Sequence, residues 1–189
     1  APETGKETMH LIETRHLTYS YHGERNALED ISFIAQRNAR IAIIGSNGAG
    51  KSTLFKHFNG IFRPTSGSIL VRGEPITKEN LHEVRKFVGI VFQNADDQVF
   101  APTVEQDVAF GPIQQGLDHA QVAERVAAAL AAVGLAGMER CEPHLLSEGQ
   151  KQRLAIAGAL AMRPAYLVLD EPVAMLDPAG RAAVLDVVR

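Results

Sequence analysis

Residues 45–53, GSNGAGKST, form the most specific motif of the chain and indicate its fold class. It matches the pattern G-x-x-x-x-G-K-[ST], whose glycines let the backbone curl so that successive amides point at phosphate oxygens. In this pattern Lys51 reaches the β- and γ-phosphates of a nucleotide, and Ser52 ligates magnesium. We therefore expect a nucleoside triphosphate site in which the whole loop contacts the phosphates: Gly45, Ser46, Asn47, Gly48, Ala49, Gly50, Lys51, Ser52 and Thr53.

The residues on either side of this loop supply the context that the pattern requires, a strand before it and a helix after it. The β-branched run at 40–44 predicts a strand buried on both faces. Residues 51–59 predict a helix, because Leu54 and Phe58 fall on one side and Gly60 follows as a stop signal. The stretch around the loop is thus predicted to be a strand-loop-helix unit.

The remaining chain shows a mixed pattern of strands and helices. Residues 10–35 alternate apolar and polar positions around a turn at His22-Gly23-Glu24, which predicts two antiparallel strands. The sequence Phe110-Gly111-Pro112 predicts a bend. Further predicted elements are strands at 68–71 and 88–92 and helices at 120–133 and 150–162.

Two adjacent acids follow another predicted strand. The apolar run at 166–169 ends in Asp170 and Glu171, and open α/β sheets bind ligands at the carboxyl ends of their strands. A phosphoryl-transfer site needs one carboxylate near magnesium and another that orients water. Such a pair alone is more often a solvated strand end, but in a chain with the phosphate loop we expect Asp170 at the metal and Glu171 at the water.

Composition limits the class of protein. The 189 residues are 46% hydrophobic with a net charge of -3, which suits one compact α/β domain and gives no broad electrostatic reason for a nucleic-acid partner. The single Cys141 excludes an internal disulfide and favours a reducing compartment. Residues 1–8 are expected to be a leader or an expression remnant, and the helical pattern from Pro178 stops at Arg189 without an ending signal, as in a fragment.

The segment Leu146-Ser147-Glu148-Gly149-Gln150 is the third motif. By itself it predicts the start of a helix with Ser147 as the capping residue. Placed between the loop and the acidic strand, it resembles the signature motif of ABC ATPases. Residues 10–189 resemble an ABC ATP-binding cassette, which implies a domain at 9–189 with a P-loop NTPase (RecA-like) α/β core, an N-terminal antiparallel β layer and a helical subdomain at about 94–160.

The resemblance implies that the cofactors are ATP and Mg²⁺, and it assigns roles to residues outside the loop. Tyr21 would stack on adenine, and Gln93 would contact magnesium and couple to a membrane partner. The implied catalytic residues are Glu171, as the base, together with Lys51 and Gln93. The implied magnesium ligands are Ser52, Gln93 and Asp170. The implied nucleotide contacts beyond the loop are Tyr21, Gln93, Ser147, Gly149, Gln150 and Asp177.

In this family two cassettes pack head to tail, so the resemblance implies a second ATPase subunit, identical or different, as partner. Ser147 and Gly149 would then touch the γ-phosphate bound by the opposite subunit. Glu148 departs from the glycine that is usual at its position. Its carboxylate would weaken closure by repulsion of the triphosphate unless the side chain points to solvent.

The segment VFQNADDQVFAPTVEQDVAFGP at 91–112 is similar to ATPases of energy-coupling factor importers, above all those for cobalt or nickel. This implies an integral membrane coupling protein, a separate substrate-capturing subunit and a place on the cytoplasmic face of the membrane. The residues of this chain do not distinguish import of cobalt from import of nickel or of a vitamin, because the substrate-capturing subunit is a separate protein. We expect the coupling protein to dock on the surface at 93–103, which carries Phe100.

Two alternatives remain open. One is a soluble ABC protein of DNA repair or translation, although residues 54–145 lack the long coiled-coil insertion of repair ATPases, and translation members join two cassettes in one chain. The other is a nucleotide-binding fragment that does not hydrolyse ATP. The family's switch histidine would follow Arg189, and His144 precedes the acidic strand, so it cannot take that role.

Overall fold

The computed structural model of the chain describes residues 10–23, 25–173, 176, 178, 180–182 and 184. The expected leader at 1–8 and the expected nucleotide contact Asp177 lie outside the described residues. The chain divides into two units, of which the first ends at Arg85 and the second begins at Lys86.

The first unit is built on a four-stranded antiparallel sheet. Its strands follow one another in the order β2-β1-β3-β4. The turn between the first two strands has left-handed backbone at His22 and Gly23, with φ of 54° and 78°. The predicted antiparallel strands around this turn are therefore confirmed. The strands are β1 (His10–Ser20), β2 (Asn26–Gln36), β3 (Ser66–Val71) and β4 (Glu74–Pro75).

Helix α1 (Lys51–Phe58) contacts β2 and β3 of this sheet, and helix α2 (Leu81–Phe87) begins near the end of the unit. The predicted helix after the loop is confirmed, with Leu54 and Phe58 buried. Gly60 has a φ of 70°, the left-handed conformation that glycine adopts at low cost after a helix. Burial of the apolar side of α1 therefore holds this helix in place directly after the loop.

The strand predicted at 40–44 is wrong for this structure. The segment has no regular secondary structure, and Ile44 is 92% exposed. A strand is stable only when a neighbour satisfies its backbone groups, and neither sheet of the described residues includes this segment. The β-branched composition of 40–44 indicates a local preference for extended backbone, but none of the described strands pairs with this segment.

The second unit packs three helices beside a two-stranded parallel sheet, in which Val91 pairs with Leu169. Its core includes Val104, Leu130 and Leu154, none of which is exposed. The strands at 88–92 and 166–169 and the helices at 120–133 and 150–162 are confirmed within two residues. The elements are β5 (Val88–Val91), α3 (Val104–Gln114), α4 (His119–Ala132), α5 (Glu148–Ala161) and β6 (Tyr166–Leu169).

The bend predicted at 110–112 is wrong, because these residues lie inside α3. Pro112 removes only one amide from the helix, and the next turn continues with Gln115 N donating to Gly111 O at 3.0 Å. A Cβ on Gly111 would lie 2.5 Å from Met162 Cγ, so glycine permits close approach of α3 to the residue that follows α5. Helix packing explains the glycine that sequence analysis assigned to a bend.

Candidate functional site

The phosphate loop is closed on itself by its lysine. Lys51 Nζ donates hydrogen bonds to Gly45 O and Ser46 O, each at 3.0 Å. Ala49 N donates to Ser46 O at 3.2 Å, and Gly48 and Gly50 have φ of 80° and 90°. The ammonium group is therefore held beside the curled backbone, as recognition of an anion requires.

The helix behind the loop begins at a glycine that no described side chain caps. The first amides of a helix have no partner within it, so this end suits an anion. A Cβ on Gly50 would lie 2.6 Å from Ala27 O and 2.9 Å from Leu28 Cδ2. The close approach of β2 thus explains why the loop carries glycine at this position.

Tyr21 lies against the last residue of the loop. Its hydroxyl is 2.9 Å from Thr53 Oγ1. Tyr21 is 42% exposed, and its ring makes an edge contact with the Tyr19 ring, with centroids 5.0 Å apart. Tyr21, the predicted adenine contact, is therefore hydrogen-bonded to the phosphate loop. The sequence did not indicate this hydrogen bond.

His57, which none of the sequence motifs includes, contacts the last residue of the loop. Its side chain is fully buried, and Nδ1 donates to Thr53 O at 2.7 Å. Burial lowers the pKa of His57 below 6.5, and the hydrogen bond to Thr53 offsets part of this effect. The i, i+4 spacing from Thr53 was the only sequence signal for this contact.

In the second unit, the parallel strands bring two predicted catalytic residues together. Gln93 follows β5, Glu171 follows β6, and Gln93 Nε2 donates to Glu171 Oε2 at 3.1 Å. Asp170 N extends the ladder by donating to Val91 O at 3.0 Å, and Asp170 is only 4% exposed. Glu171 itself is exposed, with a left-handed φ of 49°. This strand end therefore presents one buried and one exposed carboxylate.

The segment that carries Gln93 is held to α5 by two glutamines that sequence analysis missed. Gln152 Nε2 donates to Phe92 O at 3.1 Å, and Gln152 is 2% exposed. Gln98 Oε1 accepts from Phe92 N, and its Nε2 donates to Ala155 O, both at 3.1 Å. The signal in the sequence was the polar Gln152 inside an otherwise apolar helix side. These bonds fix the backbone on the N-terminal side of Gln93.

The signature segment starts α5 with a reciprocal cap. Ser147 Oγ accepts from Gln150 N at 3.3 Å, and Gln150 Oε1 accepts from Ser147 N at 2.9 Å. The helix-start interpretation of this segment is therefore confirmed. Ser147 is exposed and Gly149 half-buried, while Gln150 Nε2 lies 3.8 Å from Met138 Sδ.

Glu148 is paired within its own helix turn. Lys151 Nζ contacts Glu148 Oε1 and Asp96 Oδ1, each at 3.0 Å. Hydrogen bonds to Asp96 and Glu148 raise the pKa of Lys151. This ammonium group offsets the negative charge of Glu148, so the repulsion that the sequence suggested is reduced.

An exposed groove of about 600 Å³ adjoins the segment that follows Gln93. Phe100 is 66% exposed, and its ring meets that of Phe110 edge-on with centroids 4.9 Å apart. Asp107 Oδ1 accepts from Phe100 N at 2.9 Å and from Ala101 N at 3.0 Å, which fixes the groove wall. The lining includes acidic and basic side chains: Asp96, Arg140, Glu142, His144 and Lys151.

Metal-binding clusters and membrane-spanning helices are both absent from the described residues. No three side chains of His, Cys, Asp or Glu in this part of the chain form a cluster that could hold a metal ion. None of the described helices has the length and apolar character needed to cross a bilayer.

Comparison with protein families identifies relatives. The family model described as "ABC transporter" matches residues 28–174. The energy-coupling factor transporter ATP-binding protein EcfA of Methanoculleus marisnigri is 67% identical over 174 residues, which are 92% of this chain and 63% of that protein. EcfA1 of Methanospirillum hungatei is 62% identical over 181 residues, 96% of this chain and 65% of that protein. The chain thus spans less than two thirds of either relative's length.

Solved structures give a matching result. One is cbiO1 of Clostridium perfringens, described as part of the ABC transporter complex cbiONQ. It is 41% identical with a TM-score of 0.81, over 95% of this chain and 72% of that one. An ATP-binding subunit of an ABC transporter is 29% identical with a TM-score of 0.83, over 94% of this chain and 73% of that one.

Proposed function

Because this chain belongs to the ABC transporter family, we propose that it is the ATP-hydrolysing subunit of an importer of the energy-coupling factor type. The hydrogen bond from Gln93 Nε2 to Glu171 Oε2 carries the hydrolytic part of the proposal. It places a carboxylate and an amide, the groups that hydrolysis needs to orient water, at the ends of two parallel strands.

The first unit supplies the groups that bind the triphosphate. Lys51 and the amides at the start of α1 would contact the β- and γ-phosphates. Ser52 of this unit contributes a hydroxyl. Among the residues of the second unit, Asp170 offers a buried carboxylate and Gln93 an amide oxygen, and all three groups are oxygen ligands of the kind that Mg²⁺ prefers. When bound, Mg²⁺ would offset charge on the phosphate oxygens. The donor set of the chain therefore fits Mg-ATP.

Glu171 is the proposed general base. Its carboxylate accepts an N–H from Gln93 at 3.1 Å, and this bond orients Glu171 Oε2 at the end of β6. The exposed position of Glu171 admits water, while Asp170, one residue earlier, is buried. The two adjacent acids are thus suited to different roles, Asp170 to the metal and Glu171 to the proton of the attacking water.

A second ATPase subunit is the first proposed partner. Ser147 and Gly149 stand at the start of α5, where helix amides and the helix dipole favour a phosphate. We assign them to the γ-phosphate held by the opposite subunit. The pairing of Glu148 with Lys151 supports this assignment, because it limits the repulsion between Glu148 and the triphosphate.

A membrane coupling protein is the second proposed partner, with docking at the groove beside Phe100. The Phe100–Phe110 pair offers an exposed apolar contact, and Asp96 and Lys151 add charges of both signs. The coupling protein would hold the chain on the cytoplasmic face of the membrane. The resemblance of 91–112 to cobalt and nickel importer ATPases supports Co(II) or Ni(II), delivered by a substrate-capturing subunit, as cargo.

One experiment tests both dimer formation and ATP hydrolysis. Purified wild type and Glu171→Gln are analysed by size exclusion with light scattering, with and without Mg-ATP, and phosphate release is assayed on the same samples. We expect wild-type turnover and an ATP-dependent dimer that persists in Glu171→Gln. Nucleotide binding without phosphate release would favour the non-hydrolysing alternative, and salt-sensitive DNA binding would favour a repair protein.

A further inference from the structure

We propose that Tyr21 is a positioning residue that acts through its hydroxyl on Thr53 and aims the Thr53 hydroxyl at a phosphate of the bound nucleotide. The inference rests on the proposed function, since it assumes that the loop binds a triphosphate. It adds to the stacking role that the family resemblance implies for the Tyr21 ring. The hydroxyl, which a stacking ring does not need, is the group at issue.

The direction of the Tyr21–Thr53 hydrogen bond follows from the chemistry of the two hydroxyls. They are 2.9 Å apart, and Thr53 is only 8% exposed. A phenol, with a pKa near 10, is a better donor than an aliphatic alcohol, so Tyr21 donates and Thr53 Oγ1 accepts. The single Thr53 hydroxyl hydrogen then points away from Tyr21. A phosphate oxygen at the loop is an ionic acceptor for it, and hydrogen bonds to charged groups are the strong ones.

Thr53 is held at a second point. Its carbonyl oxygen accepts from His57 Nδ1 at 2.7 Å, a bond made by a fully buried side chain. Tyr21 and His57 therefore fix the hydroxyl and the carbonyl of the same residue. The Tyr21 bond therefore orients the hydroxyl, while the His57 bond holds the backbone from which the side chain projects.

The two rings that hold Thr53 belong to one aromatic cluster, which consists of Tyr19, Tyr21, His57 and Phe62. The Tyr19 ring stacks on Phe62 at 5.2 Å and meets His57 edge-on at 4.7 Å. Tyr21 meets Phe62 edge-on at 5.7 Å. Packing of this kind fixes the Tyr21 ring before a ligand arrives, so that its hydroxyl is preorganised.

The hydroxyl role and the stacking role differ in the ligands they affect. A hydroxyl that acts through Thr53 on a phosphate matters equally for a ligand with a base and for one without. A stacking ring matters only for a ligand with a base. Mg-ATP and Mg-tripolyphosphate therefore separate the two roles, and Tyr21→Phe retains the ring while it removes the hydroxyl.

The experiment measures dissociation constants of the full chain for both ligands by calorimetry. The variants are Tyr21→Phe, Thr53→Val and their combination, with Thr53→Ser as the conservative variant that retains the hydroxyl. We expect Tyr21→Phe to weaken both ligands by about threefold to tenfold, the effect of one hydrogen bond. The combination should bind as Thr53→Val alone does, because Tyr21 acts through Thr53. Thr53→Ser should restore sensitivity to Tyr21→Phe.

Equilibrium unfolding of each variant without ligand accompanies the binding data. A stability loss alone would not make the two substitutions non-additive in binding. If Tyr21→Phe binds both ligands as tightly as wild type, or if the two losses add in full, the inference is overturned and the proposed function stands. If wild type binds neither ligand, both fail.

Discussion

Gln93 and Glu171 are separated by 78 positions in the sequence, yet their side chains form a hydrogen bond of 3.1 Å between Gln93 Nε2 and Glu171 Oε2. Parallel pairing of β5 with β6 produces this contact, because the carboxyl ends of parallel strands lie at the same edge of a sheet. The contact between the proposed catalytic base and its proposed orienting amide therefore depends on sheet register and not on a local motif.

Glu171→Gln should abolish turnover and spare binding. Glutamine has the shape of glutamate but accepts no proton from water, so we expect phosphate release to fall by about 100-fold to 10,000-fold. The dissociation constant for Mg-ATP should stay within about threefold, because the loop is unchanged. Single-turnover phosphate release measures the loss of hydrolysis, and equilibrium binding measures the retained affinity for Mg-ATP. A variant that hydrolyses ATP at the wild-type rate would remove Glu171 from the mechanism.

Lys51→Ala should abolish binding itself. The substitution removes the ammonium group that contacts Gly45 O and Ser46 O, and with it the positive charge that is proposed to contact the phosphates. Loss of one partner of a close charge pair costs about 2 to 5 kcal/mol, or at least a 30-fold rise in the dissociation constant. Lys78→Ala, at an exposed position of the same unit, is the control and should bind ATP normally. Equal losses in both variants would argue for a general charge effect.

Gly50→Ala should destabilise the first unit more than Gly48→Ala does. Both glycines have left-handed backbone, which costs alanine about 1 to 2 kcal/mol. Only at Gly50 does a Cβ meet another atom, Ala27 O at 2.6 Å, while nothing lies within 4 Å at Gly48. The difference in free energy of unfolding, measured in urea, isolates the clash. Equal values would show that β2 moves aside freely.

Stability should fall below pH 6.5 because of His57. Burial lowers the pKa of His57 in the folded chain, so the unfolded chain binds its proton first as the pH decreases. Stability is therefore full above pH 6.5 and is lost as the pH falls towards the lowered pKa, by up to about 1.4 kcal/mol per pH unit. Urea unfolding between pH 5 and 7.5 measures this slope. His57→Gln should flatten it, whereas substitution of the exposed His82 by glutamine should not.

Most elements were predictable from local pattern. Alternation in 10–35 gave the antiparallel strands, and the apolar side of 51–59 gave α1, because each element buries the side that its period defines. The expected ABC ATPase fold is confirmed by solved relatives with TM-scores of 0.81 and 0.83. The helical subdomain at 94–160 and the single domain at 9–189 stay predictions.

The failures have a common physical cause. The run at 40–44 has the composition of a strand, but a strand depends on backbone partners that composition does not specify. Gly111 and Pro112 suggest a break, but α3 continues because the glycine allows close contact with Met162. In both cases the local preference was overruled by tertiary structure: the run at 40–44 has no pairing strand among the described residues, and Gly111 packs against Met162.

The phosphate loop, the capped start of α5 and the acids after β6 could be predicted from residue order, since each depends on residues within a few positions of one another. Which side chains contact one another across the fold could not be predicted in this way. Tyr21 with Thr53, and Gln93 with Glu171, meet through contacts between elements far apart in the chain. Motifs within a few residues can be recognised from residue order alone. These two hydrogen bonds instead depend on strand register and ring packing, which form only when the chain folds.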